Sequence, residues 1–380
     1  MTTPQTPENP GTFSIPADSA LPGWLAGLPR AWQPYAMLAR LDRPVGVWLL
    51  FLPCVMGLGF ARLTSNGLHP IDFLWTLLFL IGAVVMRGAG CTWNDITDKD
   101  FDAKVARTAA RPIPSGAVST KQAYIFLLAQ LAIGFLIWLA LPWDAKIAAL
   151  LALPLVAIYP YTKRVTWWPQ AWLGLTFNWG VLVGAATANV ITGPTYILYF
   201  GLVLWTIAYD TIYALQDRED DALIGVRSTA RLFGRQAVLI SFGFHMGAAA
   251  LIGFAAYAQG AGRLGALTAL LFLAHGAWQA MTLKTRGEGK ALAMFKANVH
   301  AGAIVAIGLL IAAMFPPTTS SRLFAEHETV PAAVAMPFGL KPRPRPAISY
   351  PDTWFASDME RALAAEVAKR GDAAETPANP

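Results

Sequence analysis

The chain has 380 residues, of which 55% are hydrophobic and only 14% are charged. Soluble domains usually contain about 25% charged residues, so the composition excludes an ordinary soluble protein and predicts an all-α polytopic membrane protein. The formal net charge is +6, but the basic residues gather beside apolar segments, as in cytoplasmic loops, and we expect no nucleic-acid partner.

Residues 1–39 are rich in Pro and Gly and lack the apolar core and small-residue cleavage site of a secretory signal peptide. They also lack the Arg-rich amphipathic pattern of an organellar transit peptide. We therefore predict a short cytoplasmic lead-in. This favours the inner membrane of a bacterium as the location, with the mitochondrial inner membrane as the alternative.

The region 40–316 consists mainly of apolar runs close to the ~20 residues that a helix needs to cross the hydrocarbon core. We predict about nine transmembrane helices, near 45–62, 70–90, 121–141, 145–161, 171–189, 195–213, 236–257, 264–282 and 298–315. Lys and Arg are concentrated in the segments 91–120, 162–170, 214–235 and 283–297. The positive-inside rule places these segments in the cytoplasm.

The first polar cluster follows the second predicted span and reads NDITDKDFD, residues 94–102. Asn94, Asp98 and Asp102 recur at every fourth position, so on a helix they share one face. Asp95 lies beside Asp98. Carboxylates packed this closely repel one another, which is costly at a membrane surface unless a cation neutralises them.

The second polar cluster follows the sixth predicted span and reads DTIYALQDREDD, residues 210–221. Its Asp210, Asp217 and Asp221 also share a helical face. An all-oxygen ligand set suits Mg²⁺, which binds through one or two carboxylates together with waters and substrate phosphates. Two such clusters on one side of the membrane predict a Mg²⁺–diphosphate site. The alternative is that both are solvated loop carboxylates paired with nearby Lys and Arg.

Arginines follow each cluster closely. Arg107 and Arg111 lie in RTAARPIPSG after the first cluster, and Arg227 and Arg231 lie in GVRSTARLFG after the second. The planar guanidinium group can donate two hydrogen bonds to one phosphate, so we predict that these arginines bind diphosphate. As an alternative, each contributes only to the positive-inside bias.

The motifs NDITDKDFD, ARPIPSG and DTIYALQDREDD closely resemble those of the UbiA superfamily of intramembrane prenyltransferases. Within the superfamily they look most like the 4-hydroxybenzoate polyprenyltransferases. YPYTKR, with Tyr159 and Lys163, and LDRPVG, with Arg43, match two further family features. The resemblance implies a ring of nine transmembrane helices around a central cavity, with cytoplasmic caps that carry the Asp-rich motifs.

The resemblance also implies that Asn94, Asp98, Asp217 and Asp221 bind Mg²⁺ and diphosphate. The other roles that it implies are support of the first motif by Asp95 and Asp102, diphosphate binding by Arg107, Arg111, Lys163 and Arg227, substrate orientation by Asp210, Tyr159 and Tyr213, and binding of the aromatic carboxylate by Arg43.

An enzyme of this kind transfers a polyprenyl chain from polyprenyl diphosphate to the ring carbon ortho to the hydroxyl of 4-hydroxybenzoate, in ubiquinone biosynthesis, and releases diphosphate. Sister enzymes that use haem, a naphthoate or homogentisate as acceptor are the first alternative. An ion-coupled transporter and a non-catalytic scaffold are more distant ones. Residues 317–380 are polar and rich in Pro, and we predict a mostly disordered tail without chemistry.

Overall fold

The computed structural model describes residues 22–65, 67–103, 108–223 and 225–315. All of them lie in the first of two units of the chain, Met1–His327. The predicted C-terminal tail and most of the predicted lead-in fall outside the described residues.

Helices make up nearly all of the described chain. In order they are α1 Gly23–Ala26, α2 Gln33–Leu38, α3 Val45–Arg62, α4 Pro70–Asp102, α5 Thr120–Ala140, α6 Trp143–Val165, α7 Pro169–Phe177, α8 Gly180–Thr187, α9 Gly193–Ala214, α10 Arg218–Leu223, α11 Thr229–Phe233, α12 Ala237–Ala258, α13 Gly262–Arg286 and α14 Ala291–Met314. Among the described residues, eight helices are long and apolar enough to cross a membrane: α3, α4, α5, α6, α9, α12, α13 and α14. This confirms the all-α polytopic class.

The span expected at 171–189 is not one helix but two short ones, α7 and α8, with the break at Asn178. Nδ2 of Asn178 donates to the Gly174 carbonyl at 2.8 Å, to the Leu202 carbonyl at 3.1 Å and to Oγ1 of Thr206 at 2.7 Å. An Asn side chain that bonds to backbone groups competes with helical hydrogen bonding. Here it links the end of α7 to α9, which explains why an apolar run does not form a continuous span.

The helix predicted at 70–90 is longer in the structure, because α4 continues without interruption to Asp102 and is 33 residues long. Polar residues end a transmembrane segment but do not end a helix. No Pro occurs between Pro70, at the start of α4, and Pro112. The first Asp-rich motif therefore stands on a rigid helical extension.

The helices α3 and α9 are the most buried spans, whereas α5 is the most exposed. α3 packs closely on α8, where a side chain at Gly57 or Gly184 would overlap the backbone carbonyl of Val181 or Cys54. Small residues allow this approach of two membrane helices. The close packing fixes the wall of the cavity described below.

The short helix α2 packs against the end of α4 that carries the first motif, and α1 packs against α2. Leu25, Met37 and Leu38 are almost fully buried, and Leu38 belongs to one apolar cluster with Ile96 of α4 and Val118. The folded part of the chain therefore begins before residue 40, within the predicted lead-in.

Candidate active site

A large cavity of about 1370 Å³ lies between α3, α4, α5, α6, α7, α8, α9 and α14. At one end its lining is polar and includes residues of both Asp-rich motifs, among them Asn94, Asp210 and Asp217. Over most of its length the lining is apolar, with side chains such as Phe79 and Leu150. The shape and polarity suit a ligand with a charged head and a long hydrocarbon chain.

The first motif lies on the last turns of α4. The Asn94 amide donates a hydrogen bond to Oδ2 of Asp98 at 3.1 Å, as expected for side chains four residues apart on a helix. Asp98 is only 1% exposed, while Asn94 is half-buried and lines the cavity. The predicted shared face of the motif is thus present in the fold.

Asp95 is fully buried and is bound by two arginines from other elements. Nη2 of Arg40 lies 2.7 and 2.9 Å from the two carboxylate oxygens of Asp95. Nη1 of Arg111 lies 3.5 Å from Oδ1 of Asp95 and 2.7 Å from Oδ2 of Asp102. Burial raises the pKa of Asp102, against the opposing effect of Arg111. Asp95 and Asp102 therefore tie the first motif to neighbouring elements through ion pairs, and the supporting role in metal binding stays a prediction.

Sequence analysis missed Arg40. Its side chain is 13% exposed, and it also donates to the Met37 carbonyl at 2.9 Å. Burial by itself lowers the pKa of the Arg40 guanidinium. The neighbouring Asp95 carboxylate has the opposite effect and, together with smaller contributions from other groups, outweighs burial, so the pKa is raised. The short LARLDRP segment carries no local sign of this pairing, because Asp95 lies on another helix.

We expect the substitution Arg40→Met to destabilise the protein by about 3–5 kcal/mol, because it leaves the buried Asp95 carboxylate with a weaker set of partners. Thermal unfolding of the purified chain in detergent measures the effect. Arg30→Met removes the same charge from an exposed position of the same segment and should leave the unfolding temperature unchanged. Equal unfolding temperatures for the two variants would contradict this stabilising role of Arg40.

The second motif begins inside α9 and continues through the 3₁₀ turn Leu215–Asp217 into α10. Asp210, Tyr213 and Asp217 all line the cavity. Arg218 ties this turn to the loop before α14 through an ion pair with Glu288 at 3.2 Å. The side chain of Asp221 lies outside the described residues.

The predicted substrate-binding residues separate into two groups. Arg43, Arg111 and Tyr159 line the cavity. Arg227 is exposed, donates to the Val165 carbonyl at 2.8 Å and lies over the Trp167 ring; among the described residues it is not part of the cavity lining. Arg107 and the side chain of Lys163 lie outside the part of the chain that the structure describes.

Arg87 is the second residue that sequence analysis missed. It lies on α4 inside the apolar part of the span and lines the cavity, with its guanidinium over the Phe177 ring at 5.5 Å and in contact with the Cys91 thiol. A side chain at Gly46 would overlap this guanidinium. Its Nε is buried and has no hydrogen-bond partner in the described chain. The sequence does carry a signal for Arg87, namely a charged residue inside a predicted span, because charged residues within membrane helices usually have a function.

The donor chemistry of the two motifs fits Mg²⁺. Asn94, Asp98 and Asp217 offer only oxygen ligands, and the hydrogen bond to Asp98 uses the amide nitrogen of Asn94 rather than its oxygen. In the described part of the chain, no three His, Cys, Asp or Glu side chains are grouped closely enough to hold an ion alone.

Comparison with known proteins agrees with this geometry. Residues 50–302 match the UbiA prenyltransferase family. The chain is 42% identical over 302 residues to the "4-hydroxybenzoate polyprenyltransferase, mitochondrial" of Mus musculus, covering 78% of this chain and 79% of that protein. It is also 42% identical over 293 residues to the Homo sapiens protein of the same name, covering 74% and 76%.

Solved structures show the same fold. A UbiA homolog from Aeropyrum pernix K1 superposes with a TM-score of 0.59 at 26% identity, over 69% of this chain and 97% of the other. A UbiA homolog from Archaeoglobus fulgidus bound to GPP and Mg²⁺ gives 0.56 at 17% identity, over 74% and 99%. The resemblance first seen in the motifs is therefore confirmed, and this chain belongs to the UbiA prenyltransferase family.

Proposed function

We propose that the chain transfers a polyprenyl chain from polyprenyl diphosphate to the ring carbon ortho to the hydroxyl of 4-hydroxybenzoate, in ubiquinone biosynthesis, with release of diphosphate. The observation that carries the proposal is the cavity itself. It joins both Asp-rich motifs to a long apolar region, and the half-buried side chain of Arg87 lines it two helical turns from Asn94. The names of the relatives support the same acceptor.

The diphosphate head belongs at the polar end, where Asn94 and Asp217 line the cavity and Asp98 lies beside Asn94. With Asp221, these residues would hold Mg²⁺. When bound there, Mg²⁺ supplies Lewis-acid stabilisation of the charge that develops on the leaving diphosphate. Arg111 lines the same end, where its charge attracts phosphate oxygens.

The polyprenyl chain belongs along the apolar lining contributed by α4, α5 and α6. This lining excludes water from the allylic cation that forms as the C–O bond breaks. The rings of Tyr159, Tyr209 and Tyr213 line the cavity near the motifs, and aromatic faces attract positive charge. The cation is thus held beside the acceptor and away from water until the ring carbon attacks it, and the proton of that carbon is then lost, which restores aromaticity.

Arg87 suits the carboxylate of 4-hydroxybenzoate better than Arg43, the residue predicted from sequence. The Nε of Arg43 already donates to Oδ2 of Asp42 at 2.9 Å. Arg87 has no ion pair with a carboxylate in the described chain, and its buried Nε lacks a partner. Asp210 lines the same cavity. We assign to Asp210 the orientation of the phenol and to Arg87 the carboxylate.

For the location we propose an inner membrane with the Asp motifs on the cytoplasmic side. The concentration of Lys and Arg in the segments that carry the motifs supports this orientation. The relatives are named mitochondrial, which favours the alternative of the mitochondrial inner membrane.

The test is prenylation of radiolabelled 4-hydroxybenzoate by membranes that contain the chain, with an allylic diphosphate and Mg²⁺. We expect product with Mg²⁺, none with EDTA, and recovery when excess Mg²⁺ is added back. Membranes without the chain are the control. Absence of product, in membranes that contain the folded protein, would overturn the acceptor assignment. A panel with a naphthoate, homogentisate and haem would then identify a sister reaction.

A further inference from the structure

Five basic side chains in the described part of the chain line the cavity: Arg40, Arg43, Arg87, Arg111 and Lys296. Three of them, Arg40, Arg43 and Arg111, already form ion pairs with Asp residues of the protein. Their charge is therefore partly balanced by protein carboxylates before any substrate arrives. Arg87 and Lys296 have no ion pair with a carboxylate among the described residues.

Lys296 lies on the second turn of α14, on the face that borders the second motif. Its neighbour Phe295 packs against the Tyr213 ring with a centroid distance of 4.5 Å and against the Tyr209 ring at 5.9 Å. These contacts fix the register of α14 against α9. As a result, Lys296, whose side chain is exposed, lines the same end of the cavity as Asp217.

The described basic residues of the second motif and the turns after it do not line the cavity: Arg218, Arg227, Arg231 and Arg235. Arg218 is paired with Glu288 and also donates to the Gly234 carbonyl at 3.3 Å. Arg227 is held against Val165 and Trp167. A diphosphate brings several negative charges, and the cations near a departing phosphate stabilise the charge that develops on it.

We infer that Lys296 is a diphosphate-binding residue of the second motif, and that it supplies there the charge that sequence analysis expected from Arg227. The inference rests on the diphosphate substrate of the proposed function. The ammonium group acts as a point charge on a flexible stem, so it can follow the phosphate oxygens as the C–O bond breaks. Sequence analysis counted Lys296 only toward the positive-inside bias.

The experiment is titration calorimetry of inorganic diphosphate with Mg²⁺ against the purified full-length chain in detergent. We expect Lys296→Gln to weaken diphosphate binding about 10-fold, because one charge-assisted contact is lost. Lys296→Arg keeps the charge and should bind within about 3-fold of the unchanged protein. Lys290→Gln is the matched control, since Lys290 is exposed on the turn just before α14 and is absent from the cavity lining of the described residues.

Equal binding by Lys296→Gln and the unchanged protein would overturn the inference, as would an equal loss in Lys290→Gln, which would show a general effect of surface charge. Kinetics give a second readout: KM for the polyprenyl diphosphate should rise in Lys296→Gln, while KM for the aromatic acceptor stays constant. If the unchanged protein binds diphosphate but does not prenylate 4-hydroxybenzoate, only the acceptor assignment fails. If it binds no diphosphate, the proposed function and this inference fail together.

Discussion

Replacing Asp98 or Asp217 by Ala should lower kcat/KM for prenylation by at least about 1,000-fold, which corresponds to about 4 kcal/mol of transition-state stabilisation. Each substitution removes one of the few carboxylates that the motifs offer to a metal–diphosphate group. Because Mg²⁺ uses only one or two protein carboxylates, the loss of one removes a large share of the ligands that the protein supplies. Initial rates in membranes at saturating Mg²⁺ measure the loss.

Asp100→Ala is the matched control for these variants. Asp100 lies on the same extension of α4, two residues from Asp98, but its side chain is exposed. The substitution removes the same charge from the same helix without touching the cavity, so activity should stay within about 2-fold of the unchanged protein. If Asp98→Ala keeps comparable activity, the first motif does not hold the metal, and the solvated-carboxylate interpretation is correct instead.

The local features of this site follow from sequence spacing. The four-residue repeat of the first motif predicts the contact between Asn94 and Asp98, and that contact is present. The placement of Asp210, Tyr213 and Asp217 beside the cavity follows in the same way from one helix and its continuation. Such features depend on helical geometry alone, which is the same in every fold.

Features that depend on packing between distant segments could not be predicted in this way. Arg40 and Asp95 are 55 positions apart, and nothing in either segment indicates the pairing. The contact of Arg227 with the end of α6 depends likewise on how two loops pack. The break at Asn178 is stabilised by groups of α9. A single-sequence pattern carries no information on these contacts.

Arg87 differs from these cases, because a charge inside an apolar span is itself a signal. We expect Arg87→Met to lower kcat/KM for 4-hydroxybenzoate about 100-fold, since it removes the cation that we propose as the partner of the substrate carboxylate. Binding of inorganic diphosphate with Mg²⁺ should be unchanged. Diphosphate is expected at the motif end of the cavity, whereas Arg87 lies two turns of α4 before Asn94.

A neutral acceptor distinguishes a specific loss of carboxylate binding from a general loss of enzyme activity. The unchanged protein should prefer 4-hydroxybenzoate strongly over 4-hydroxybenzamide, and Arg87→Met should prenylate the two at similar rates. Arg43→Met is the control, because Arg43 also lines the cavity but is paired with Asp42. If Arg43→Met loses the preference while Arg87→Met keeps it, the prediction made from LDRPVG is correct and the assignment of the carboxylate to Arg87 is wrong. A guanidinium without a carboxylate partner is costly in an apolar cavity unless a ligand binds it. If Arg87→Met loses the preference for 4-hydroxybenzoate and Arg43→Met keeps it, substrate binding explains why a charged residue lies within this membrane span.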